Sequence, residues 1–118
     1  ITHKKHYSMS TYKVLYWKEI PTQIKYTDNK GKESSYPLSL FFQNAIDAVA
    51  MFDGSISSGD YLDAWDWGEE RETSLLPEEI ISSFDENIPT SFINKIKKLH
   101  SSNKRSQLPG SIDSWFVN

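Results

Sequence analysis

The period of the apolar pattern changes once along this chain, near Pro37, and that change constrains the fold more than any other feature. Before it, Tyr12–Lys18 is a run of β-branched and aromatic residues. Thr22–Thr27 then alternates, with Ile24 and Tyr26 on one side and Gln23 and Lys25 on the other. Glu19-Ile20-Pro21 separates the two runs, because proline has no N–H to give to a strand ladder. After Pro37 the period lengthens. Phe42, Ala45, Ile46 and Val49 recur at the i, i+3, i+4, i+7 spacing of a buried helix face. The expected architecture is α+β: an N-terminal antiparallel β-hairpin packed against three to four short helices.

Punctuation residues divide the rest. Asp28–Lys32 reads as a turn, and Phe52-Asp53-Gly54 stops the first helix, with Gly54 suited to a left-handed end. Ser57 or Ser58 caps a short second helix reaching about Trp65. Trp67–Thr73 has one large apolar side chain among charges, and fits either a third, exposed edge strand or a polar connection. Pro77-Glu78-Glu79 suits a helix start, since proline lacks an N–H and carboxylates offset the dipole there. Thr90 is placed to cap the last helix, with Phe92, Ile93, Ile96 and Leu99 on one face. Val14, Tyr16, Ile24, Phe42, Ile46, Val49, Leu62 and Trp65 are the expected core.

A length of 118 residues fits one domain. Residues 1–10 form a basic extension, 11–100 the domain, and 101–118 a Ser-rich tail that ends in aromatics. Residues 1–8 are acid-poor and basic, as in a processed targeting remnant or an upstream extension. That composition favours the matrix side of a mitochondrial complex, with a bacterial cytoplasm as the alternative.

Several chemistries are excluded or disfavoured. Without cysteine there is no disulfide framework, thiolate zinc site or Cys nucleophile. No apolar run approaches the roughly 20 residues of a membrane span. There is no Gly-rich phosphate loop. His3 and His6 flank lysines, which makes a poor metal site. Asp53–Ser58 fails as a calcium loop, because Ser58 stands where glycine is needed and Ala64 where glutamate is. No cofactor or metal is expected.

Charge is segregated. Residues 1–33 carry seven Lys and three acids, residues 34–90 one Arg and twelve acids, and residues 91–118 five basic residues and one Asp. Basic ends around an acidic middle fit two readings equally: complementary protein partners, or internal pairing between the blocks. The acidic centre would repel phosphates, so a nucleic acid is the less favoured partner, although Tyr12, Tyr16 and Trp17 lie among lysines. Other protein subunits are the expected partners, and the oligomeric state is open. The candidate interface residues are Trp115, Phe116, Lys4, Lys5, Asp60, Asp63 and Asp66. Trp115 and Phe116 anchor a partner in this reading, with folding back onto the domain's own core as the alternative. Asp60, Asp63 and Asp66 share one surface if that stretch is helical.

Three blocks carry a family resemblance. Leu15-Tyr16-Trp17-Lys18-Glu19-Ile20-Pro21-Thr22-Gln23-Ile24 resembles the opening of the small bacterial "virulence factor" domain family: an aliphatic-Tyr-Trp, a basic residue, then acid-Ile-Pro-x-Gln. Phe42-x-x-Ala45-Ile46-Asp47-x-x-Ala50-Met51 is similar to its first helix, and Asp60-Tyr61-Leu62-x-x-Trp65-x-x-Gly68 to its short second helix and exit. The match covers roughly residues 12–73. It implies a small α+β domain and brings no activity or catalytic residue with it. A non-catalytic accessory or adaptor subunit of a larger assembly is therefore expected. The alternative is a small enzyme or enzyme partner using a polar site at Glu19, Gln23 and Asp47, with Asp60.

Overall fold

The hairpin nucleates the architecture in the computed structural model, which describes residues 9–116. Strands β1 (Ser10–Trp17) and β2 (Ile20–Thr27) pair antiparallel through the two-residue turn Lys18-Glu19. Ile20 and Pro21 thus belong to β2 rather than to a break. Pro21 is tolerated because the register shifts between Leu15 and Tyr16, so its missing donor falls at a bulge. Strand β3 (Glu33–Pro37) adds to β2.

The chain then crosses to the other side of β1. Helix α1 (Leu40–Phe52) starts where the Ser39 hydroxyl accepts from the Phe41 amide at 3.1 Å. It buries Phe42, Ala45, Ile46, Val49 and Ala50. Two single turns follow, α2 (Ser55–Ser58) and α3 (Asp60–Asp63), each preceded by a glycine at positive φ. Strands β4 (Trp65–Trp67) and β5 (Arg71–Thr73) both pair with β1, one at each end, so the sheet order is β3-β2-β1-β4 with β5 beside β1. Helices α4 (Pro77–Asp85) and α5 (Phe92–Ser101) complete the second layer, and a 3-10 turn spans Asp113–Phe116.

The hairpin and α1 lie where their apolar periods place them. Two core assignments need correction. Leu62 is 75% exposed and Trp65 37% exposed, because the helix expected through Trp65 ends at Asp63 and Trp65 begins an edge strand. The larger correction concerns the tail. Phe116 is buried against Phe42, Phe84 and Phe92, with ring centroids 5.3–5.9 Å apart, and Ile112 is buried too. Trp115 is half-buried beside Phe92, with the Lys95 ammonium 4.4 Å from its ring centre. The aromatic pair therefore folds back and completes the domain's own core: an apolar ring gains more from that pocket than from water.

Candidate functional site

Two surfaces stand out, and the hairpin builds both. The first is its closed end. A two-residue hairpin turn favours Asn-Gly, whereas here Lys18 takes the left-handed conformation at φ 51°. Its contacts hold it there. The Lys18 amide donates to the Ala64 carbonyl at 2.9 Å. Its ammonium lies 3.1 Å from Asp53 Oδ2, 2.8 Å from Ser55 Oγ and 3.6 Å from Asp60. Glu19 is 1% exposed, and both its oxygens accept from Arg105, Nε at 2.6 Å and Nη2 at 2.8 Å. Arg105 Nη1 donates to Asp53 Oδ2 at 2.9 Å and lies 3.3 Å from His100 Nδ1, which accepts only when unprotonated.

Asp53 sits at the C-cap of α1 with its carboxylate fully buried. Burial pushes its pKa up, but the Ser55 hydroxyl and amide, the Arg105 guanidinium and the Lys18 ammonium outweigh it and hold Asp53 at about 2. The internal-pairing reading of the charge blocks is what these contacts show: the N-terminal, middle and C-terminal blocks meet here.

A second network ties the same segment to the sheet. Tyr16 Oη donates to Asp113 Oδ2 at 2.7 Å, and Arg71 donates to the same oxygen at 2.7 Å. Burial, reinforced by the Asp113 carboxylate, pushes the Tyr16 hydroxyl well above the usual phenol range. Gly68 is required beside it, because a Cβ there would stand 2.8 Å from the Tyr16 ring. Trp67, Arg71, Leu108 and Gly110 help line an open groove of about 440 Å³.

The second surface is the sheet face turned away from the helices. Directly paired residues point to one side of a sheet. Val14, Tyr16, Ile24 and Tyr26 are buried under the helical layer, so Lys13, Leu15, Gln23 and Lys25 point outward, while Trp17 at the closed end is buried and donates to the Asp60 and Tyr61 carbonyls. Register then fixes the outer rows. One runs Trp67–Leu15–Gln23–Pro37, the next Lys13–Lys25–Ser35, and a third Glu72–Thr11–Thr27–Glu33. Lys25 confirms the geometry by reaching to 5.2 Å above the Trp67 ring. Among the described residues neither Lys13 nor Lys25 has a carboxylate within 4.0 Å.

The expected site residues scatter. Glu19 and Asp60 both touch the ion network, but Glu19 has no free oxygen for chemistry. Asp47 accepts from Tyr61 Oη at 2.7 Å on the exposed face of α1, and Gln23 lies on the open sheet face. Asp63 and Asp66 are exposed, yet they lie on a helical turn and on a strand rather than along one helix. Lys4 and Lys5 lie outside the described residues. Arg105 and Asp113 were not singled out from sequence, and no local pattern marks them. Among the described residues no cluster of three His, Asp or Glu is arranged to hold a metal ion, and no helix is long and apolar enough to cross a membrane.

These features define a two-layer α+β domain whose buried Glu19, Asp53 and Arg105 are occupied with each other and whose sheet is open on one side. The chain belongs to the virulence factor family, whose model matches residues 15–99. Among curated proteins and solved structures nothing matches it significantly.

Proposed function

We propose that this protein is a non-catalytic accessory or adaptor subunit that binds another protein through its open sheet face. The observation that carries the reading is the pair Lys13 and Lys25, set opposite each other beside Leu15 and Trp67. Like charges directly opposite on a sheet destabilise it. A partner segment with carboxylates over the lysines and an apolar side chain over Leu15 and Trp67 would relieve that repulsion. Tryptophan is also a frequent anchor of interfaces, and Trp67 is 36% exposed.

The test is the native mass of the protein in extracts of its source. Wild type should migrate in an assembly, and Lys13→Glu/Lys25→Glu should leave it while keeping the wild-type circular dichroism. Raising salt should slow association more than it speeds release, because screening removes long-range steering. A folded double variant that still co-migrates would refute this face as the docking surface.

A further inference from the structure

Arg105 comes from beyond the family match, while both carboxylates that it meets, Glu19 and Asp53, lie within it. Its side chain is 2% exposed, against 1% for Glu19 and 0% for Asp53. The guanidinium fork meets the Glu19 carboxylate at two points and Asp53 at a third, a planar match that an ammonium cannot make. Lys18 is the other cation of the network, and its ammonium reaches Asp53, Ser55 and Asp60 but not Glu19. Glu19 without Arg105 would be a buried carboxylate with no partner, which is strongly unfavourable. The pocket thus requires a second cation, and its shape specifies which kind.

We infer that the family-matched part of this chain forms a receptor site for a guanidinium group, and that Arg105 fills it from within the same chain. The ligand class is an arginine side chain carried on a segment without strands or α-helix. Residues 102–116 have that character: irregular chain and turns lead to one 3-10 turn, and they hold to the domain through Arg105, Asp113 and Phe116. A partner that presents an arginine competes with this internal ligand for the seat. The site lies at the hairpin turn rather than on the outer sheet rows, so it stands or falls separately from the docking face proposed above.

The experiment uses full-length Arg105→Ala, titrated with methylguanidinium and, in parallel, with methylammonium at equal concentration. Methylguanidinium at about 20 mM should raise the melting temperature saturably, because a ligand that binds only the folded state stabilises it. Methylammonium should do much less, wild type should respond to neither, and Arg105→Ala/Glu19→Gln should lose the response. If Arg105→Ala is unfolded in plain buffer, the same titration is read as recovery of the folded circular dichroism spectrum. Equal effects of the two cations, or an undiminished response after Glu19→Gln, would overturn the assignment.

Discussion

The closed end of the hairpin and its open face use lysine in opposite ways. Lys18 is 9% exposed along its side chain and has three oxygen neighbours within 3.6 Å. Lys13 and Lys25 lie on the same two strands, yet they face each other across the ladder without a carboxylate beside them in the described residues. At the closed end, charge joins segments that are distant in sequence. On the open face the two lysines repel each other across the ladder, and the Trp67 ring under the Lys25 ammonium offsets part of that cost.

Truncation after His100 should give the largest effect, and it tests the closed end. It removes Arg105, Ile112 and Phe116 together. Deleting a buried Phe side chain costs about 3–5 kcal/mol, and breaking a buried ion pair costs a similar amount. That sum rivals the whole stability of a small domain, about 5–15 kcal/mol. Calorimetry should show no cooperative transition, whereas a normal melt would mean that residues 102–116 are dispensable.

Gly68→Ala comes next, since its Cβ would press on the Tyr16 ring that anchors Asp113. Overpacking of this kind costs about 1–3 kcal/mol, read as a lower denaturant midpoint. An unchanged midpoint would show that the ring shifts freely.

Acid should then loosen the closed end. Asp53 has its pKa depressed to about 2 from its ordinary value of 3.8, so its contribution is full above pH 3.8 and is lost as pH falls towards 2. The expected loss is on the order of 1–2 kcal/mol, and Asp53→Asn should flatten that part of the stability–pH curve. A variant with the same acid limb would place the transition on another carboxylate.

The smallest effect should come from the open face. Lys13→Glu replaces a like pair by an opposite pair and should raise stability by about 0.2–1 kcal/mol. A loss of stability instead would mean that the two lysines do not repel, and the contrast between the two regions would weaken.

Legibility in the sequence followed the range of the forces involved. The hairpin strands, the buried stripe of α1 and the proline start of α4 rest on local period and local chemistry, and all three are present. Strand β3 was not legible, because Glu33-Ser34-Ser35-Tyr36-Pro37 has low strand propensity and exists by pairing with β2. The exposure of Leu62 and Trp65 depends on where a single helical turn stops. At the site, Glu19 was recognisable as a polar residue within the first block that resembles the family. Its partner was not, since an arginine in a Ser-rich stretch 86 residues later carries no local signal. The same distance hid the role of residues 102–116: a polar segment reads as a free tail until its few anchoring side chains find their sockets.

The separation of Glu19 from Arg105 also sets a schedule. Ribosomes add about 5–20 residues per second, so the 86 positions between them take roughly 4–17 s to synthesise. Isolated hairpins form in about 1–10 μs, so β1 and β2 can pair long before the clasp is available. Throughout that interval Glu19 lacks its partner, because Arg71, the one arginine made earlier, pairs with Asp113 instead. Closure of the domain therefore waits on the emergence of one late arginine, the residue that pairs with Glu19 in the finished structure.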